Sequence, residues 1–148
     1  EEAARIDALR GGSRGGERIS KLRGELNTNM ELGFGVYREQ GSMQTTLETV
    51  TQLKWRASEL RLEDKSRVFN TELLAALELV NMLDVAEAIA KSALSRKESR
   101  GAHTCRDYTR RDDQNYLHHT LCHFDPAGPH IDKKDVTLGH WEPEERKY

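Results

Sequence analysis

From Asn70 to Arg100 the chain contains neither glycine nor proline. Glycine weakens a helix through backbone entropy, and proline breaks one by removing a donor and clashing with the preceding turn. Their absence over so long a run predicts one helix, unusually long for a small domain, with Asn81 to Asp84 the place for a bend or break if it has one. Asn70 is a preferred N-cap, and Phe69 before it is expected to pack on Leu74 as a hydrophobic staple. Asp84, Glu87, Lys91, Ser95 and Glu98 share one face of this helix, with Glu87 and Lys91 a favourable i,i+4 pair. Met82, Leu83, Val85, Ala86, Ile89, Ala90 and Ala93 fill the rest. Leu73, Leu77 and Val80 point elsewhere. The first half is therefore apolar more nearly all round and is expected to lie deep in a bundle, with the second half reaching past it. Gly101 is the natural terminator.

Two further helices precede it. Ile19, Leu22, Leu26 and Met30 recur at spacings of three and four, predicting a helix from Glu17 to about Leu32, closed by Gly33 and Gly35. Val36-Tyr37-Arg38 reads as a turn. Ser42 is a good N-cap, and Met43, Leu47, Val50, Leu53, Ala57 and Leu60 form a stripe to about Arg61, with Trp55 and Arg56 off it. Glu63 to Ser66 reads as the connection. Residues 1–10 form a short helical piece, and Gly11 to Gly16 a mobile glycine-rich linker. Short connections between three amphipathic helices predict a mainly α fold, an antiparallel three-helix bundle of spectrin-like up-down-up topology, followed by a short irregular or β tail. The units are 1–16 (helical piece and linker), 17–101 (bundle) and 102–148 (tail).

Composition changes at the same boundary. All three prolines lie at or after Pro126, and all six histidines and both cysteines lie after residue 100. In the tail, Asn115 to Cys122 alternates like a strand, Asp125 to Pro129 is a turn cluster, and Asp135 to Leu138 is expected to pair back as a second strand. A lone hairpin is marginal in water, so the tail is expected to need another surface.

Charge excludes some functions. Lys and Arg number 23 against 25 Asp and Glu, a net charge of −2, which argues against a nucleic-acid binder. Mean hydropathy is −0.80, and no apolar run approaches a bilayer span. Two cysteines make no disulfide framework and fit a reducing compartment. No charged-then-apolar leader is evident, so secretion is not expected. The chain opens on Glu1 rather than methionine, which is expected of a segment of a longer protein.

Candidate chemistry is sparse. Cys105, His118, His119, Cys122 and His123 include enough soft ligands for zinc. Structural zinc sites, however, pair their ligands two to four apart in both halves, whereas Cys105 stands far from His118 with only His103 near it. Adjacent His118 and His119 in a strand would point to opposite faces. No metal ligand set is assigned. Arg96, Lys97, Arg100, Arg106, Arg110 and Arg111 form the densest cationic stretch. Such a stretch can hold phosphates, but its spacing favours cations at a helix C-terminus, where the dipole favours positive charge, with Asp107, Asp112 and Asp113 close enough to neutralise them. Neither dinucleotide- nor triphosphate-binding glycine loop is present, nor a serine nucleophile elbow.

One string is more specific. Ser95-Arg96-Lys97-Glu98-Ser99-Arg100-Gly101-Ala102-His103, then Arg111-Asp112-Asp113, then His119-Thr120-Leu121, resembles the C-terminal region of the flavoprotein subunit of succinate dehydrogenase and fumarate reductase. Met30 through Gly35-Val36-Tyr37-Arg38, Val68-Phe69-Asn70-Thr71-Glu72-Leu73-Leu74 and the closing Arg146-Lys147-Tyr148 occur in the same order in that family. The resemblance covers residues 17–148. L-aspartate oxidase carries a close relative of the string, and a free-standing helical interaction module with a zinc-binding tail is the alternative from another class. The short spacing from Arg111 to His119 looks bacterial or archaeal. Cys105 stands where family members commonly have arginine, with Arg106 one position later.

The resemblance implies an oxidoreductase subunit that interconverts succinate and fumarate on FAD. Electrons pass to an iron–sulfur subunit and then to quinone at a membrane anchor. It implies a cytoplasmic protein held peripherally on the inner face of the membrane by partner subunits. The family's flavin-linking, substrate-binding and proton-donating residues belong to its flavin-binding and capping domains, so no catalytic, cofactor-binding or metal residue is assigned here. This segment alone is expected to be inactive and without cofactor. Arg96, Glu98, Arg100, His103 and Arg106 are then expected to be interdomain contacts that brace the flavin domain, since the planar guanidinium pairs bidentately with carboxylates.

Overall fold

The computed structural model describes residues 2–11, 16–60, 62–141 and 143–144. The order of elements is α1 (Glu2–Gly11), α2 (Ile19–Phe34), β1 (Tyr37–Arg38), α3 (Gln40–Ala57), α4 (Thr71–Leu94), β2 (Thr104–Cys105), α5 (Asp113–Tyr116), β3 (His118–His123) and β4 (His130–Asp135).

The apolar stripes of α2, α3 and α4 meet in two core clusters, and their membership gives the direction of each helix. Ile19, Leu22 and Leu26 of α2 lie in the first cluster and Phe34 in the second. Helix α3 begins in the second with Met43 and ends in the first with Val50, Leu53 and Ala57. Helix α4 begins in the first with Ala76, Leu79 and Leu83 and ends in the second with Ala90 and Ala93. That is the up-down-up antiparallel bundle expected from the stripes. Leu60 and Leu62 leave α3 and stay buried, so the connection to α4 closes the first cluster. Leu9 of α1 joins it from outside. Burial of each such leucine contributes about 1.5–3 kcal/mol. No helix among the described residues is long and apolar enough to cross a membrane.

Local signals set the ends. Asn70 Oδ1 accepts from the Leu73 N–H at 2.7 Å, so the cap at α4 forms as expected. The staple does not: Phe69 is 96% exposed, with a left-handed φ of 55° that turns it away from Leu74. Helix α3 starts at Gln40, before Ser42, because the Met43 N–H already bonds to the Glu39 carbonyl. Val36 to Arg38 is not a free turn. Tyr37 and Arg38 pair in parallel with Thr104 and Cys105, which pins the loop after α4 to the loop after α2. The linker residues 12–15, Arg61 and the closing Arg146-Lys147-Tyr148 lie outside the described residues.

The largest departure is at the end of α4. The helix stops at Leu94 instead of continuing to Arg100. In a helix, residues i and i+2 cannot face one another. Here Arg96 and Arg100 both converge on Glu98, two positions from each, and Glu98 is completely buried. Only a non-helical chain brings these three together. Beyond it, Asp112 caps the single turn α5 by accepting from the Asn115 N–H at 3.0 Å, so Asn115 and Tyr116 are helical and the strand begins at His118. Its partner is β4, upstream of the expected Asp135 to Leu138, in register from His118 opposite Asp135 to His123 opposite His130. The turn falls where the Asp125 to Pro129 cluster placed it. The Gly128 N–H bonds to the Asp125 carbonyl at 2.9 Å, and Gly128 takes a φ of 120°.

Candidate functional site

The site forms where α4 ends and the chain turns back into β2 and the hairpin. Its centre is the Glu98 carboxylate. One oxygen accepts from Arg96 Nη2 at 2.6 Å, Arg96 Nε at 3.2 Å and Arg100 Nε at 2.9 Å. The other accepts from Arg100 Nη2 at 3.0 Å and the Asp112 N–H at 2.9 Å. Burial by itself would push this carboxyl up. The hydrogen bonds from Arg100, the Asp112 N–H and Arg96 outweigh it and hold the group down at about 2. Glu98 is therefore an anion at any physiological pH, and both guanidinium groups are oriented by it.

The two arginines extend the clamp in different directions. Arg96 Nη1 donates to the His118 carbonyl at 3.0 Å and to Thr120 Oγ1 at 2.8 Å, and Nη2 donates to the Tyr116 carbonyl. Arg96 thus ties α4 to the start of the hairpin. Arg100 Nη2 also meets Asp113 Oδ1 at 2.6 Å, and Arg111 Nη2 meets Asp113 Oδ2 at 2.6 Å. Arg111 Nη1 in turn donates to the Glu144 carbonyl at 2.6 Å. The chain of charges runs from the bundle to the end of the described tail.

His103 sits on the other side. Arg38 Nη1 lies 2.9 Å from His103 Nδ1, and His103 Nε2 lies 3.1 Å from the Arg96 carbonyl. Arginine can only donate, so Nδ1 accepts and Nε2 carries the proton that bonds to Arg96. Burial lowers the His103 pKa, helped by the nearby charges of Arg38 and Arg96, which keeps this neutral form.

Of the five residues singled out from the sequence, four converge here: Arg96, Glu98, Arg100 and His103. Arg106 does not join them. Its side chain is 63% exposed, pairs with Glu39 at 2.8 Å and lies over the Tyr37 ring. Cys105 is fully buried in the second core cluster with Phe34 and Met43, so this position faces inward. Sequence reasoning did not assign Arg38 and Thr120 to the site, although both lie in strings that carry the family resemblance, because their partners are remote in the chain. It anticipated Asp113 and Asp112 as neutralising neighbours; Asp112 contributes its backbone N–H. Asp107 accepts instead from the Gln40 N–H at 2.6 Å. Among the described residues, no group of three or more His, Cys, Asp or Glu side chains is arranged to hold a metal ion.

A sequence model of the family described as fumarate reductase flavoprotein C-term matches residues 23–148. The chain is 47% identical over 146 residues to the fumarate reductase flavoprotein subunit of Haemophilus influenzae, a match covering 98% of this chain and 24% of that protein. It is 45% identical over 105 residues to the succinate dehydrogenase flavoprotein subunit of Coxiella burnetii, covering 71% of this chain and 18% of that protein. A solved mutant of Escherichia coli quinol fumarate reductase superimposes with a TM-score of 0.89 at 39% identity, over 97% of this chain and 25% of that one. This chain spans about a quarter of the length of the fumarate reductase relatives it matches. The clamp and bundle described above are thus those of a chain that belongs to the fumarate reductase flavoprotein C-terminal family.

Proposed function

We propose that this chain is the non-catalytic C-terminal domain of a flavoprotein subunit that interconverts succinate and fumarate. In the intact subunit FAD supplies the redox chemistry, and electrons pass through an iron–sulfur subunit to quinone at a membrane anchor. The subunit is peripheral, on the cytoplasmic face of the membrane. Among the described residues neither two-stranded sheet leads through a glycine-rich turn into a helix, so these elements do not suit a flavin cradle, and no step of the chemistry is assigned to them.

The role of the domain is to brace the flavin domain. The observation that carries this reading is the Glu98 clamp, which joins the end of α4 to the start of α5 through Arg100 and the Asp112 N–H and to the hairpin through Arg96. Arg96 and Glu98 act as internal rivets. Arg100 and His103 sit at the edge of the clamp, and Arg106, outside it and paired with Glu39, is a separate outward contact. Arginine anchored in this way presents its fork with little entropy left to lose.

The test is charge reversal in the full-length subunit. Arg100→Glu and Arg106→Glu are expected to lower flavin incorporation, assembly with the iron–sulfur subunit and succinate-dependent turnover together. Unchanged values for all three in both variants would refute the bracing role. Stoichiometric zinc in the purified protein would favour a metal-stapled module instead.

A further inference from the structure

In the clamp and beside it, Arg96, Arg100, Arg106 and Arg111 each have a carboxylate partner. Arg38 differs. Among the described residues its guanidinium bonds only to the Gly35 carbonyl at 3.1 Å and to His103 Nδ1, both uncharged acceptors. It lines a groove of about 430 Å³ together with Ile89, Ser92, His103 and Thr120. This groove continues through Val85 and Ile89 into a second of about 640 Å³ between α2 and α4, floored by Leu26, Met30 and Met82. Val85 and Ile89, one turn apart on α4, are 58% and 46% exposed. A long apolar trough therefore ends at a half-buried cation that lacks a counter-charge in the described chain.

We infer that the α2–α4 trough seats a segment of the same subunit lying outside this chain, whose apolar side chains cover Val85 and Ile89 and whose Asp or Glu carboxylate pairs with Arg38. The inference rests on the bracing role proposed above and names the surface and the chemistry of the contact. Two arguments select this occupant. Charge complementarity calls for a carboxylate, because a desolvated guanidinium gains most from a charged acceptor. The trough is also continuous with the clamp, and of the arginines that line it Arg23 pairs with Glu78 and Arg96 with Glu98, which leaves Arg38 as the one without a carboxylate among the described residues. A freely diffusing partner needs a larger patch, whereas a tethered segment is held by a modest one because its effective concentration is high. Neutral His103 contributes by accepting from Arg38, which fixes the guanidinium at the mouth of the groove without cancelling its charge.

The test uses the full-length subunit with benzoylphenylalanine in place of Val85 or, separately, Ile89, both exposed enough to tolerate it. Irradiation is expected to join each probe to a peptide of the same polypeptide outside this chain, with Asp or Glu within a few residues of the joined position. Arg38→Gln is expected to lower that yield roughly tenfold or more, and Arg38→Lys by less. Capture of another subunit or a second copy, or no capture from either position, overturns the inference. Capture that Arg38→Gln leaves unchanged overturns the carboxylate contact. A third probe replacing Arg106 separates the two levels: capture within the subunit there, with none from the trough, leaves the bracing role standing. Absence of capture at all three positions removes both.

Discussion

Replacing Glu98 by glutamine keeps the shape of the clamp and removes its charge. In the native site the carboxylate accepts five N–H bonds and lies between Arg96 and Arg100, with no exposure of its own. The glutamine amide offers one carbonyl and one NH₂, so its NH₂ must face a guanidinium or the Asp112 N–H, donor against donor. Arg100 keeps Asp113 as counter-ion, but Arg96 is left with only neutral acceptors. Removing one partner of a buried pair costs about 3–5 kcal/mol. That is a large share of a typical domain stability of about 5–15 kcal/mol. At roughly 2–4 °C per kcal/mol for a chain of this size, Tm should fall by about 10 °C. Urea unfolding of wild type and Glu98→Gln at pH 7 checks the free energy, with the slope m expected to be unchanged. The difference also has a pH signature. The folded-state pKa of Glu98 is about 2, below its ordinary 4.5. Its contribution is therefore fully present above about pH 4.5 and is lost as the pH falls toward 2. The two proteins should converge over that window. A loss under about 1 kcal/mol at pH 7, or a gap that persists at pH 2, would refute the reasoning.

Four further outcomes follow from particular contacts. Gly33→Ala places a methyl 2.7 Å from Thr46 Cβ at the α2–α3 contact; the overpacking, about 1–3 kcal/mol, should outweigh the helix-propensity gain of about 1 kcal/mol, so chemical denaturation should show a net loss. Gly128→Ala combines a φ of 120° with a Lys91 Nζ only 3.0 Å from the new methyl, and hydrogen exchange should show the β3–β4 hairpin opening more readily while the bundle is unaffected. Burial, then the charges of Arg38 and Arg96, lowers the His103 pKa below 6.5, so its contribution is complete above that pH and declines as the pH drops beneath it; an NMR titration should give a midpoint under 6.5 with the proton on Nε2. Of the two free thiols, exposed Cys122 should react with a thiol reagent at once and buried Cys105 only on unfolding.

What local spacing determines here is substantial. The stripes of α2, α3 and α4 specify three helices and which face of each enters the core, because a period of 3.6 leaves one face to bury and short connections force neighbours antiparallel. Asn70 sets the start of α4, and Asp125 to Gly128 sets the hairpin turn, since both are settled within four residues of chain. The C-terminal identity was also legible, carried by the string from Ser95 to His103. Tertiary structure alone decided where α4 ends. Propensity continues to Arg100, but the competing arrangement gathers five N–H donors on one buried carboxylate, and that gain exceeds two more turns of solvent-exposed helix. It also decided that Arg38 and Thr120 belong to the site, that Arg106 stands apart from it, and that the second strand pairs upstream of Asp135. The contacts of Arg38, Thr120 and Arg106 join residues 20 or more positions apart, where no periodicity in the chain reports on the partner, and the strand register is set by the turn at Asp125 to Gly128 together with the Arg96 contacts to His118 and Thr120.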